Sequence, residues 1–332
     1  MSSQRHYRSV FWPILLIGVG LVWLLQNLNL IPGWSWSTIW QLWPIFLIAI
    51  GLDLLVARRS PILGAIVALG TIGLIIALVV AGTSLGIRRN PDVITEQFSE
   101  ELGSANSARI ALDFSVGPAL LEALESSNDL FRAEVTHLGE VEFSSSGTNR
   151  KTIQLDTKEL SFNSGWFDFV NERELKWEVA ISPEIPVELD IHGGVGEAEL
   201  DLSELDLTDL ELDIGVGEFR IYLPSTSESY DAKITGNVGE TFIEVAEGAD
   251  IRLDIDGGVG EVTIKVPSDA AVRLDASIGV GRVQVPSNFR QISGGDSDFV
   301  GEDGVWETAE FDSADRRIII NFNGGVGGLI LR

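Results

Sequence analysis

Residues 210–223 read Leu-Glu-Leu-Asp-Ile-Gly-Val-Gly-Glu-Phe-Arg-Ile-Tyr-Leu. Apolar residues fall at Leu210, Leu212, Ile214 and Val216, then at Phe219, Ile221 and Leu223. A period of two on each side of Gly217 is a strand signature, with one side chain directed to a core and the next to solvent. The phase slips by one residue at the glycine. A bulge or tight bend needs such an extra residue if both flanks are to face one core, and glycine supplies any positive φ that the bend demands.

The same Val-Gly pair returns along the chain, with its glycine at Gly117, Gly196, Gly217, Gly239, Gly260, Gly281 and Gly327; the middle five are spaced 21, 22, 21 and 21 residues apart. The apolar slots return with it: Leu253, Ile255, Val259, Val262, Ile264 and Val266 around Gly260, and Leu274, Ala276, Ile278, Val280, Val283 and Val285 around Gly281. Outward slots are rich in acids, among them Asp190, Glu211, Asp213, Asp254, Asp256 and Asp275. Each unit of about 21 residues is therefore two short strands joined at a glycine corner and closed by a loop such as Pro224-Ser225 or Pro267-Ser268. Two strands cannot bury an apolar face alone, but stacked neighbours can. The expected fold is a flattened β-solenoid with its aliphatic side chains, Val216, Val259 and Val280 included, in one interior. An immunoglobulin-like sandwich is the alternative, but it offers no reason for corners in one register.

Within the 78 residues between Gly117 and Gly196, four segments alternate as strands do: 131–135, 141–143, 151–155 and 175–179. An aromatic patch of Phe162, Trp166, Phe167 and Phe169 sits there among Ser, Asn and Gly, either packed on the first rungs or exposed to a partner or membrane. A second interruption, residues 293–315, carries eight acids with Trp306 and Phe311, and is expected to project as a loop. Trp166, Phe167 and Trp306 are the candidate partner contacts.

The whole chain of 332 residues has a formal net charge of -26 and a mean hydropathy of +0.21, a combination foreign to one soluble domain. Cutting near Asn90 separates six Lys/Arg and one acid from seventeen Lys/Arg and 48 acids, or +5 against -31. The first ninety residues hold three apolar stretches, at 10–31, 39–57 and 62–82, each close to the roughly 20 residues that cross a bilayer as a helix. The third is unambiguous; the first loses apolarity at Gln26, Asn27 and Asn29, leaving a re-entrant or interfacial helix open. Six of the nine tryptophans lie here, where an indole anchors a helix end at the headgroups. Arg5, Arg8, Arg58 and Arg59 on one side outnumber Arg88 and Arg89 on the other, which sets the amino terminus in the cytoplasm and the large domain outside. Asp53, the one acid in a span, lies near Arg58 and Arg59 at the interface, where its charge is cheaply neutralised. The domains expected are thus a transmembrane region at 1–90, a tether at 91–107 with one helical turn around Thr95 to Leu102, and an acidic β-repeat domain at 108–332 with insertions at 125–185 and 293–315.

Chemistry is sparse. There is no Cys, so disulfides and thiol nucleophiles are excluded. His6, His137 and His192 share no local ligand spacing, and the glycine strings lack the Lys-Ser/Thr ending of a phosphate loop. Nor does a nucleophile elbow or paired-carboxylate motif occur, so no catalytic residue and no cofactor is expected. An acidity of this size repels nucleic acid. The one arrayed polar feature is Glu197, Glu218, Glu240 and Glu261, each directly after a repeat glycine. Stacked about 4.8 Å apart they form a ladder of like charge, screened by solvent or by a cation such as calcium. Arg282 interrupts the ladder at the next rung.

The amino-terminal pattern, with Trp12-Pro13 followed by Gly18 and Gly20 and Trp43-Pro44 followed by Gly51, resembles the LiaI/LiaF-like transmembrane region. The remaining two thirds resembles the toastrack β-repeat domains of adhesin-type and LiaF-type proteins. Three spans, not the four of LiaF, would place the domain outside. The resemblance implies membrane helices plus an all-β, solenoid-like domain, with no catalytic residue to carry over. Two functions follow as expectations: a regulatory partner in the cell-envelope stress response, touching another membrane protein, or an extracytoplasmic scaffold or adhesin. The bilayer and an envelope component are the expected partners, with self-association left open.

Overall fold

The computed structural model describes residues 93–332 except 126, 138–139, 158–174 and 297–300, together with residues 47, 48, 70 and 73. The expected spans and the patch at Phe162, Trp166, Phe167 and Phe169 lie outside the described residues. Among those described, no helix is long and apolar enough to cross a membrane. The chain divides into two compact units, residues 1–92 with 161–170, and residues 93–160 with 171–332.

The second unit is all-β. Its strands are β1 (Ile94–Glu101), β2 (Ser107–Val116), β3 (Ala119–Ala123), β4 (Asp129–His137), β5 (Val141–Ser146), β6 (Arg150–Thr157), β7 (Lys176–Ile181) and β8 (Val187–Asp201). They continue with β9 (Leu207–Leu223), β10 (Tyr230–Val245), β11 (Ile251–Lys265), β12 (Val272–Gln284), β13 (Arg290–Asp296), β14 (Glu302–Glu307) and β15 (Ile318–Leu331).

The long strands cannot be straight. From Asp209 to Leu223 a flat strand would run about 45 Å at roughly 3.3 Å per residue. Yet Asp231 lies beside Asp209 and Val245 beside Leu223 in the parallel ladder of β9 and β10. Only the residues from Pro224 to Ser229 separate the two strands, and such a link reaches about 20 Å. Each run must therefore fold back at its glycine corner, so that first halves stack into one layer and second halves into another. Burial follows this geometry: Leu210, Leu212 and Ile214 from the first half and Phe219, Ile221 and Leu223 from the second are all buried in the same core. Gly217 permits the fold twice over. Its φ is 152°, and a Cβ there would overlap the carbonyl oxygen of Gly196 on the preceding rung.

At the amino-terminal end the layers separate. β2, β6 and β5 continue the first layer beyond β8, and β3, β7, β4 and β1 continue the second. The four alternating segments of the long interruption are β4 to β7. Residues 94–101, where a helical turn is expected within a tether, are instead β1, antiparallel to β4. Tertiary pairing overrides local preference here: Phe98 packs on Phe143 with centroids 5.4 Å apart, and Lys151 bonds the carbonyl of Glu101 at 2.9 Å.

The carboxy-terminal end departs from a simple coil. The spatial order is β11-β15-β12-β14-β13, so the last strand of the chain is central, parallel to β11 on one side and β12 on the other. The expected projecting loop at 293–315 is corrected accordingly: β13 and β14 form an antiparallel pair that caps β12. Trp306 faces Leu274 across this ladder and is buried in the core.

Candidate functional site

The folded corners carry the rows of side chains that matter. The glycines Gly117, Gly196, Gly217, Gly239, Gly260, Gly281 and Gly327 all have positive φ, between 112° and 152°. Register brings Glu197 beside Glu218, Glu218 beside Glu240, and Glu240 beside Glu261. Because β15 intervenes, the next position is Gly328, and Arg282 follows one rung further. Arg282 is thus two rungs from Glu261. Arg220 pairs with Glu218 along the same strand. Among the described residues, no three His, Asp or Glu side chains come together as a metal site.

Valine at the corner is corrected by the structure. Val195, Val216, Val238, Val259, Val326 and Val280 are 45–51 % exposed, not interior. Alternation continues inward as far as Ile214, but at Val216 the chain is already turning and the side chain points past the end of the core. The valines remain equivalent to one another, since the ladders align them one on the next in the order given. Val116 extends the row by its backbone pairing with Val195.

Sequence reasoning missed this exposed row, although a signal was present. In nearly every rung the valine stands between two glycines, so no neighbouring side chain could cover it.

The outward rows balance their acidity locally. Lys233 bonds Glu211 at 2.9 Å and Lys265 bonds Glu244 at 2.6 Å. His192 lies 3.1 Å from Asp213 and 3.4 Å from Asp190. Burial pushes the Asp113 carboxyl above its usual range, with Asp156 adding to the effect and His192 opposing it. Asp209 is raised for the same first reason, then by Glu188, Asp231 and Glu211.

Of the candidate partner contacts, Trp166 and Phe167 lie outside the described residues. Trp306 is only 5 % exposed and cannot meet a partner without opening the cap. His137 is buried with both ring nitrogens unbonded, 3.5 Å from Glu96.

Comparison with known families agrees with this architecture. Residues 88–244 match the N-terminal domain of toast_rack, DUF2154, and residues 10–55 match the LiaI-LiaF-like transmembrane region. The chain is a LiaI-LiaF-like transmembrane region followed by a toastrack-type β-repeat domain. It is a membrane-associated protein built from two non-catalytic parts, and not an enzyme. The toastrack unit has a counterpart in the crystal structure of a "putative cell adhesion protein" from Clostridium sporogenes ATCC 15579. The two share 20 % identity at a TM-score of 0.51, over 72 % of this chain and 99 % of that one, which establishes a common fold. A "putative adhesin" from Bacteroides fragilis NCTC 9343 aligns over 73 % of this chain and 99 % of its own at 12 % identity, with a TM-score of 0.27, too low to bear on function. Among curated proteins none matches the chain.

Proposed function

We propose that this protein is a membrane-anchored scaffold of adhesin type, whose acidic toastrack domain stands on the extracytoplasmic side and works by contact. The observation that carries it is the stack of in-register corners. A row of exposed valines repeats at one spacing over six rungs, with a row of glutamates beside it on four of them, a surface suited to meeting an extended partner and unsuited to enclosing a small substrate. Three spans at 10–31, 39–57 and 62–82, with the amino terminus in the cytoplasm, put the domain outside. The Clostridium sporogenes protein of like fold, described as a "putative cell adhesion protein", is in keeping with this role.

Regulation of an envelope-stress sensor is the second reading, supported by the LiaI-LiaF-like match over residues 10–55. Protease added to intact cells separates the two. Digestion of the toastrack domain from outside is the expected result and removes a cytoplasmic regulator; protection until the membrane is opened would overturn the scaffold.

A further inference from the structure

We infer that the row of corner valines is a docking ridge for a basic amphipathic helix of a protein partner. This rests on the scaffold reading and deepens it by naming the surface and the chemistry of its occupant.

The valines are half exposed on six consecutive rungs of the stack. Other solvent-facing rows of the same strands vary freely: the row through Asp190 continues with Glu211, Lys233, Asp254, Asn321 and Asp275. Only the apex repeats an apolar residue on every rung, and it does so where the core gains little from it. Glycine before and after nearly every valine leaves no neighbouring side chain along the strand to cover it. Together the valines offer on the order of 400 Å² of apolar surface, the size at which exposed patches are commonly functional.

Charge selects the occupant. One flank carries Glu197, Glu218, Glu240 and Glu261; the other carries His192, Asp213, Thr235 and Asp256 on the same four rungs. On the last two rungs these positions hold Gly328 and Arg282, and Asn323 and Ser277. An apolar strip between carboxylates calls for an apolar strip between Lys and Arg, with the basic end over β8–β11. A second copy would set acid against acid, and like charges facing one another across an interface select against that pairing. Anionic lipid is repelled for the same reason.

Dimensions select a helix. Six rungs about 4.8 Å apart make a ridge of about 24 Å. A helix of about 16 residues has that length, and its turns of about 5.4 Å nearly match the rungs, whereas alternate residues of an extended peptide fall about 6.6 Å apart.

The test uses the purified full chain in phosphatidylcholine nanodiscs, with empty discs as blank. The probe is an 18-residue Lys/Leu amphipathic helix bearing a photo-cross-linker on its apolar face, and a Glu/Leu helix is the control. Cross-links are expected at the corners of β8–β12 with the Lys/Leu helix alone. They should fall at least tenfold in the variant Val216→Thr, Val238→Thr, Val259→Thr, whose side chains keep their shape. An unchanged melting temperature in that variant ties the loss to the ridge itself. Cross-links that persist in the variant, that map elsewhere, or that never form would overturn the proposal. So would a dimer in sedimentation that the variant abolishes, since the occupant would then be a second copy. Because the purified chain is used, failure here leaves the sidedness result untouched, and the reverse also holds.

Discussion

Replacing Gly239 by alanine tests the stacked corner most directly. Gly239 sits mid-stack, paired with Gly217 on one side and Gly260 on the other. Its φ of 142° lies where L residues are strained, at a cost of about 1–3 kcal/mol. A Cβ there would also overlap the carbonyl oxygen of Gly217, which is fixed in the ladder and can only yield by opening it. Loss of two or more backbone bonds adds about 0.5–1.5 kcal/mol each. The sum is on the order of 4 kcal/mol, or about 8–16 °C in melting temperature for a domain of this size. Gly248→Ala is the matched control. It too has positive φ, 71°, but its nearest atom is Ser225 Oγ at 3.6 Å, so only the torsion is penalised, by about 1–2 kcal/mol. Thermal unfolding of the full chain, followed through the emission of buried Trp177 and Trp306, measures both. Equal losses at 239 and 248 would refute the claim that rungs approach too closely for any side chain at the corner.

Other outcomes follow from the same geometry. Deleting residues 316–332 removes buried Ile318, Ile320, Phe322, Leu329 and Leu331, roughly 10 kcal/mol of burial at about 1.5–3 kcal/mol each, comparable with the whole stability of a domain. Limited proteolysis of the truncated chain should find no protected toastrack core; a protected core would mean that β11 and β12 can close on each other. Asp209→Asn should raise the melting temperature at pH 7. The carboxyl is raised in the folded state, so its contribution is fully present below the ordinary carboxylate range and lost as pH rises through the folded value. The gain from Asn should therefore vanish near pH 3, and a gain that persists there would refute an electrostatic cause. Millimolar calcium should leave the melting temperature where matched magnesium leaves it; a clear rise with calcium alone would make the Glu197, Glu218, Glu240 and Glu261 ladder a cation site.

The repeat was legible because strand alternation and glycine corners are local properties. Leu210, Leu212 and Ile214 announce one buried flank, Phe219, Ile221 and Leu223 the other, and the spacing of the glycines announces the stack. The exposure of Val216 was not legible from alternation. A period of two says which way a side chain points relative to its strand, but at a corner that direction leads past the core. The strand character of Ile94–Glu101 was hidden for a related reason, since its apolar residues are few and its partner, β4, lies some 35 residues on.

By itself the sequence determined the division into an apolar basic segment and an acidic β domain, the two-layered rung, and the residues that line its interior. Only the tertiary structure decided the order of the rungs. β12 and β15 carry the same pattern, and either could pair beside β11 in the same register, so no local rule ranks them. The stack ranks them through contacts between distant residues: Asn321 donates to Asp254 at 2.5 Å, a neutral side chain set among acids. At the outer edge of β12, Glu302 accepts the Val283 N–H at 2.8 Å, and β14 takes the place that another rung would fill. Identical units specify how they stack, and the groups that differ between them specify which lies next to which.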